Sequence, residues 1–508
     1  MASHSYSTDE ESELVHGLLD DAVAEVPDAP AVRDAAGAWS YRQLAEYSQA
    51  FALWLRERGV GRGDRVVLQL PTGRALAAMF YGASRCGAVF VPLNPAMKPY
   101  HLRKVIDNAG PKLLIGDTVT GDILGEIAGP VHQLADLWAE VEELRAQGRR
   151  IEPERVDPGD VATLIYTSGS TAAPKAVVCP HAQVTFASRA LTEALGYRAD
   201  DVVFCRFPMS WDYGLYKVLM TCVARCEIVL ADGESDLLLL RRMRETGATV
   251  VPIVPSLASM IVSLARRDRD APAPVRMFTN TGAALPPATI DALREHFPGT
   301  AVVRQYGQTE AKRITVMPPA EDRERPGAVG LPLPGTRVLI LDPDGKAVPT
   351  GEVGEIVAVG PHVMPGYWNS PDLTGKAFKT DPDSGELRLH TGDYGSVDAD
   401  GYLYFEGRRD DMFKRKGFRM STLEIEGAAM DIPGVRAAAA LPPSGRHDLA
   451  LFVESDLAPG AVLKELTRRL EPAKVPAVCR VLAQFPLTQH GKNARRELAL
   501  LLDSGSAT

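Results

Sequence analysis

Cysteine is scarce in this 508-residue chain, and its six cysteines are scattered. Cys222 and Cys226 lie four apart with no second pair to join them. The spacing of a zinc site is therefore missing, and the thiols read as reduced residues of a cytosolic protein. A long apolar run is missing too. The most apolar window, Thr249 to Ala265, is broken by Pro252 and Pro255 and reads as strand, turn and helix rather than as a membrane span. Met1 to Leu14 is polar and acidic, without the basic region and apolar core of a signal peptide. Positive charge is not in excess. The net charge of −9 argues against nucleic acid or an anionic membrane as partner. No repeat of solenoid length is evident, and the GxxxxGK[ST] spacing of a P-loop does not occur.

What is present is ordinary for a globular protein: 45% apolar and 24% charged residues, in a chain long enough for more than one domain. From about Glu11 to Asp160, helical and strand patterns alternate. Tyr41 to Arg58 carries apolar residues at helical spacing and ends at Gly59. Arg65 to Leu70 reads as a strand, Ala75 to Ala83 as a helix, and Ala88 to Pro92 as a second strand. That alternation predicts an α/β fold of mostly parallel sheets flanked by helices. Leu144 to Arg150 reads as a surface connection.

The chain is organised around Val161 to Lys175. Val161-Ala-Thr-Leu-Ile-Tyr166 is apolar and β-favouring, a buried strand. Thr167-Ser-Gly-Ser-Thr171-Ala-Ala-Pro-Lys175 follows as a hydroxyl-rich loop with Gly169 near its centre. Successive N–H groups can form an anion nest there. Thr167, Ser168, Ser170 and Thr171 can donate to phosphate oxygens, and Lys175 adds a point charge. These residue types suit phosphate, although a polar surface loop has the same composition.

The stretch resembles the TSG[ST]TGxPKG loop of the ANL superfamily of adenylate-forming enzymes, with Ala172 and Ala176 where that pattern has glycine. An alanine at either place would stiffen the loop or disturb a φ > 0 position. Further motifs follow in the family's order. Thr281-Gly282-Ala283-Ala284 resembles the turn whose backbone lies along adenine, with Thr281 facing the acyl pocket. Tyr306-Gly307-Gln308-Thr309-Glu310 is similar to YGxTE. The resemblance implies that Tyr306 stacks on adenine, that Gly307 borders nucleotide and substrate, and that Thr309 donates to the α-phosphate. Glu310 would hold Mg²⁺ on the phosphates of ATP, as a carboxylate suits a hard cation. In His390-Thr-Gly-Asp393, Asp393 would accept from the ribose hydroxyls. In the Gly407-Arg408-Arg409-Asp410 run, Arg408 would contact ribose or phosphate and Asp410 would be a hinge. Lys492, in Pro486-Leu-Thr-Gln-His-Gly-Lys492, would be the catalytic lysine that neutralises charge at the α-phosphate.

The substrate pocket is expected at Trp211-Asp212-Tyr213-Gly214. Trp211 lines it. Asp212 either binds a substrate ammonium, as in amino-acid-activating members, or caps a helix starting at Tyr213 or Gly214. Lys312 and Arg313 follow Glu310, and Arg313 occupies a position that faces the pocket in relatives. A guanidinium there suits a second carboxylate; otherwise Arg313 pairs with Asp212 or Glu310, or meets solvent. His181 reads as a structural residue at a helix start.

The resemblance implies a large N-terminal domain over residues 1–409, with a small β-barrel subdomain from about 327 that includes an Asp342-Pro-Asp-Gly345 turn. A small mobile α+β domain would span 410–508, its basic first stretch a solvated hairpin or a carrier contact. After Lys492 only a short helix and a Ser/Gly tail are expected, with no fused carrier. The expected function is ATP- and Mg²⁺-dependent adenylation of an amino acid, with an amino dicarboxylic or β-amino acid such as a 3-methylaspartate-like compound favoured. Transfer to the phosphopantetheine thiol of a stand-alone carrier protein would follow, in natural-product biosynthesis. The alternatives are an acyl-CoA ligase for a non-amino acid and a non-catalytic nucleotide-binding relative.

Overall fold

The computed structural model describes residues 12–151, 154–167, 175–231, 233–408, 412–415, 418–444, 447–470, 472, 474–486 and 495–503. Two large sheets carry the first four-fifths of the chain. One has six strands in the order His132–Gln133, Leu113–Gly116, Arg65–Gln69, Val89–Pro92, Val161–Thr167, Lys175–Pro180. Its pairs are parallel until the last, where Val161–Thr167 and Lys175–Pro180 run antiparallel with Thr167 opposite Lys175. The two described ends of the phosphate-type loop, Thr167 and Lys175, thus face each other. Val161–Thr167 is buried through its centre, which is why it reads as a continuous apolar run.

The second sheet has a parallel half containing Val202–Cys205, Val250–Ile253, Met277–Asn280 and Ala301–Gln308. It turns antiparallel at the hairpin from Ala301–Gln308 into Ala311–Val316. From there it continues through Ala328–Pro332, Leu403–Arg408, Leu387–Val397, Gly354–Val359 and Arg337–Leu341. These antiparallel strands stand where the small β subdomain is expected. The Asp342–Gly345 turn is present, with the Gly345 N–H on the Asp342 carbonyl at 3.0 Å and Gly345 at φ +81. One apolar core extends across both sheets and their helices, with Trp54, Tyr41, Tyr81, Phe51 and Phe90 among its largest fully buried side chains, and a second, smaller one gathers Val67, Val89, Val91 and Leu164 of the six-stranded sheet.

Helical periodicity places Tyr41–Glu57 and Arg74–Arg85 within a few residues of expectation. The expected surface connection from Leu144 to Arg150 begins as helix: Leu134–Ala146 covers its first three residues, anchored by buried Leu137, Val141 and Leu144, an apolar i, i+4, i+7 stripe between charged residues, and residues 146–150 are exposed. Ala176, where a glycine was expected to matter, lies in the antiparallel ladder opposite Tyr166. Among the described residues, only Arg225 and Asn369 are non-glycine positions at positive φ, so the alanine costs no strain. Ala172 lies outside the described residues.

The C-terminal part has its own sheet, Val435–Leu441, Ala450–Ser455 and Val478–Leu482, and a separate core around Ile425, Leu451, Val453 and Leu466. Its basic first stretch forms a hairpin, Met412–Arg415 with Phe418–Ser421. Arg415 is not solvated there. It is 9% exposed and pairs with Asp448 at 2.8 Å. No disulfide joins any of the six cysteines. No helix among the described residues is long and apolar enough to cross a membrane.

Candidate active site

The four parallel strands Val202–Cys205, Val250–Ile253, Met277–Asn280 and Ala301–Gln308 present their carboxyl ends on one edge, the usual ligand edge of such sheets. The segments leaving them carry the expected substrate residues. After the first, the chain turns through Phe207 to Trp211, where the Trp211 N–H donates to the Pro208 carbonyl at 3.0 Å. Helix Asp212–Ala224 then begins. Gly214 makes this close turn feasible, because a Cβ there would press on the carbonyl oxygens of Phe207 and Pro208. Trp211 is the N-cap residue and offers no side-chain cap. Asp212 is already inside the helix, one residue earlier than expected.

Asp212 is ion-paired. Lys312 Nζ donates to its Oδ2 at 2.6 Å. Asp212 is thus not the helix cap, and a buried lysine already holds one oxygen of its carboxylate. Lys312 is 1% exposed and Arg313 is 4% exposed. The strand that carries them, Ala311–Val316, is buried at every position. Arg313 takes none of the three places expected for it in the alternative. It is not in solvent, and no carboxylate among the described residues pairs with it. Its guanidinium carbon lies 5.0 Å from the centre of the Tyr213 ring, and its Nε is buried without a hydrogen-bond partner. Gly307 makes room for it at the bulge where the hairpin register shifts; a Cβ there would come within 3.2 Å of Arg313 Cδ.

A third cation stands nearby. Lys217, one turn after Tyr213, is 2% exposed, with its Nζ 3.2 Å from Tyr197 Oη and 5.0 Å from the Tyr213 ring centre. Lys312 Nζ is 5.3 Å from the same ring. Three buried cations thus surround one tyrosine, with one carboxylate between them. The protonation equilibria report that imbalance. Burial pulls the Lys217 ammonium down to about 7, and Arg313 adds to it. Burial and then Arg313 hold Lys312 well below its ordinary range, against the pull of Asp212. Burial pushes the Asp212 carboxyl up, but Lys312 and Arg313 outweigh it and leave it below the usual carboxylate range. Burial is the larger cause for both lysines, with the neighbouring cations acting in the same direction, and at Asp212 the cations outweigh burial.

On the neighbouring turn, Thr281 is buried and Gly282, Ala283 and Ala284 are exposed. Gly282 adopts φ +87, and Asn280 Nδ2 holds the turn through the Ala283 carbonyl at 2.8 Å. Tyr306, Asp393 and Arg408 come together. Asp393 is 3% exposed; its Oδ2 accepts from Tyr306 Oη at 2.7 Å and Gln308 Nε2 at 2.9 Å, and its Oδ1 from Arg408 Nε at 3.1 Å. Glu355 braces this turn, accepting the Gly392 N–H at 3.2 Å and meeting His390 at 2.9 Å. Thr309 sits half-buried between the two hairpin strands.

Glu310 and Lys175 face each other across the two sheets, with Nζ 3.5 Å from Oε1. Tyr367 Oη donates to the same oxygen at 2.7 Å. Glu310 Oε2 takes no hydrogen bond among the described residues. No group of three or more metal-ligating side chains occurs among them. A single carboxylate with a free oxygen still fits Mg²⁺, which is usually held by one or two carboxylates together with substrate phosphates. Thr167 lies at the near end of the loop, its Oγ1 on the Lys175 carbonyl at 3.4 Å. Ser168, Gly169, Ser170, Thr171, Asp410 and Lys492 lie outside the described residues.

His181 is the first residue of helix His181–Leu195. It is fully buried, accepts the Val15 N–H at Nδ1, and burial pushes it down to about 3. Its position is structural. Sequence reasoning missed Lys217, Tyr367 and Gln308. For Lys217 a signal existed: a lone lysine in the apolar run Leu215-Tyr-Lys-Val-Leu-Met. Tyr367 and Gln308 had none that separates them from ordinary strand residues.

The profile described as AMP-binding enzyme matches residues 19–368. A plipastatin synthase of Bacillus subtilis (strain 168) is 29% identical over 98% of this chain, which spans 20% of that protein's length. The crystal structure of VinN is 54% identical, with a TM-score of 0.74, over 78% of this chain and 98% of that one. VinN is also known in complex with L-aspartate and with 3-methylaspartate. ATP-bound MatB from Rhodopseudomonas palustris is 28% identical, with a TM-score of 0.86, over 97% of this chain and 100% of that one.

Proposed function

The chain belongs to the AMP-binding enzymes of the ANL superfamily, and from that premise we propose that it adenylates an amino acid bearing a second carboxylate. The observation that carries the reading is Arg313: a buried guanidinium, unpaired among the described residues, beside the Asp212–Lys312 pair. A buried cation without a counter-charge is costly unless a ligand supplies one. A substrate carboxylate on Arg313 answers that deficit, and Asp212 offers its carboxylate to a substrate ammonium with Lys312 completing the site. The VinN complexes with L-aspartate and 3-methylaspartate support this class.

The substrate's reacting carboxylate oxygen attacks the α-phosphorus of ATP. A P–O bond forms, the bond to the bridging oxygen of pyrophosphate breaks, and pyrophosphate leaves with its electron pair. Tyr306 offers an aromatic face and Asp393 a carboxylate to the nucleoside. Lys175 and the loop hydroxyls Thr167, Ser168, Ser170 and Thr171 offer cation and donors to the phosphates. Glu310 would hold Mg²⁺, which supplies charge neutralisation at the phosphates. By resemblance, Lys492 stabilises charge at the α-phosphate, and the hinge at Asp410 lets the small domain exchange groups between adenylation and thioester formation. The acceptor we assign is the phosphopantetheine thiol of a carrier protein. Similarity to the plipastatin synthase supports that assignment.

ATP–pyrophosphate exchange across amino dicarboxylic, α-amino, β-amino and plain acids tests the reading. The expected result is strong exchange with an amino dicarboxylic acid and a loss of about a hundredfold or more in kcat/KM on Arg313→Ala, the scale for truncating one partner of a buried charge pair. Asp212→Asn should fall comparably. Exchange with plain acids, indifferent to Asp212→Asn, would sink the amino acid reading and leave an acyl ligase.

A further inference from the structure

Residues 363–368, between strand Gly354–Val359 and helix Pro371–Ala377, belong to none of the motifs above. They join the two sheets directly. Val363 bridges to Ala311, and the Met364 N–H donates to the Glu310 carbonyl at 2.9 Å. A few residues on, the Gly366 carbonyl accepts the Val178 N–H at 3.0 Å, Tyr367 bridges to Val177, and the Trp368 N–H donates to the Ala176 carbonyl at 2.9 Å. One short segment therefore clasps the strand that begins at Lys175 and the turn that carries Glu310.

Tyr367 is the side chain this clasp places between them. It is 6% exposed. Its N–H is held by Thr374 Oγ1 at 2.9 Å, and its ring packs edge-on against Phe378 with centroids 5.4 Å apart. The ring carries Lys175 Nζ 4.2 Å from its centre, while the hydroxyl donates to Glu310 Oε1 at 2.7 Å. A carboxylate pinned at one oxygen by a side chain that cannot swing away presents the other oxygen in a fixed direction.

We propose that Tyr367 is a positioning residue for the metal–nucleotide complex: its hydroxyl anchors Glu310 Oε1 so that Oε2 is reserved for the cation, and its ring keeps Lys175 beside the same carboxylate. The proposal rests on the assignment of Glu310 as the metal carboxylate. Tyr367→Phe isolates the hydroxyl, because the ring contacts to Lys175 and Phe378 remain. The first experiment measures Mn²⁺ binding by electron paramagnetic resonance, with α,β-methylene-ATP and the full-length protein, in wild type, Tyr367→Phe and Glu310→Gln. Loss of a hydrogen bond to a charged group predicts Mn²⁺ binding weakened about tenfold or more in Tyr367→Phe, and at least as much in Glu310→Gln. Melting temperature and amino acid binding should stay at wild-type values. In pyrophosphate exchange, the half-saturating Mg²⁺ concentration should rise by the same factor, with kcat recovered at high Mg²⁺. Wild-type Mn²⁺ binding in Tyr367→Phe with loss in Glu310→Gln overturns the inference and leaves the Glu310 assignment standing. Wild-type binding in both overturns the two together. Loss that tracks a lowered melting temperature assigns Tyr367 to packing and overturns the positioning role.

Discussion

Lys217 sits behind Tyr213, and among the described residues its Nζ meets Tyr197 Oη and the Met220 sulfur. Its native ammonium is drawn from 10.5 down to about 7, so the unfolded chain binds that proton more tightly than the folded one. Stability contributed by the neutral form is therefore present above about 10.5 and lost as pH falls toward about 7. Lys217→Met removes this dependence. In chemical denaturation the variant should exceed wild type by on the order of 2–4 kcal/mol near pH 7, and the gap should shrink as pH approaches 10. An equal gap at both pH values would show that the lysine keeps its proton throughout. Arg313 shows the same physics from the side of function. A guanidinium cannot shed its charge, so under the proposed function the charge excess at that position would be met by a substrate carboxylate rather than by deprotonation.

At the scale of elements, the proposed substrate pocket depends on the turn from Phe207 to Trp211 packing close against the start of helix Asp212–Ala224. Gly214 is the contact point. Gly214→Ala would drive a methyl group into the carbonyls of Phe207 and Pro208, and relief requires the turn or the helix start to move. We expect a loss of about 1–3 kcal/mol in stability, together with a raised KM for the amino acid, because Asp212 lies on the displaced turn of helix. An unchanged KM in a destabilised variant would show that Asp212 does not set substrate affinity. The hairpin Ala301–Gln308 to Ala311–Val316 is the other determining element. It carries the proposed nucleotide side at Tyr306 and Glu310 and the proposed acyl side at Lys312 and Arg313, so nucleotide and acid meet at one β-bulge.

For the whole molecule, the large part and the C-terminal part have separate cores, and the proposed boundary lies at residue 409. Every residue of the Asp212, Lys217, Lys312 and Arg313 cluster lies before it, whereas Lys492 lies after it. A chain ending at 409 should retain binding of the amino dicarboxylic acid, read as a thermal shift, and lose pyrophosphate exchange by about a hundredfold or more, the scale of a lost transition-state charge. Loss of both would place the boundary elsewhere, and full exchange would remove Lys492 from the proposed chemistry.

Much of this was legible in one dimension. The strand-and-loop at Val161 to Lys175, the YGQTE turn, HTGD and the alternation of helices and strands are local signals, set by residue type and short spacing. They suffice for an α/β fold, the ANL family and the identity of Asp212, Glu310, Arg313 and Asp393 as residues to examine. Pairing is not local. Lys312 reaches Asp212 across 100 positions, and Tyr367 reaches Glu310 across 57. Lys217 and Arg313 gain meaning only from the ring they share. A sequence states which charges exist, whereas the free energy of a charge depends on burial and on the nearest opposite charge, and both are properties of the folded chain. The sequence determined the family and the inventory of chemical groups; the tertiary structure alone decided that three cations crowd one tyrosine ring and that only Lys312 takes the carboxylate of Asp212.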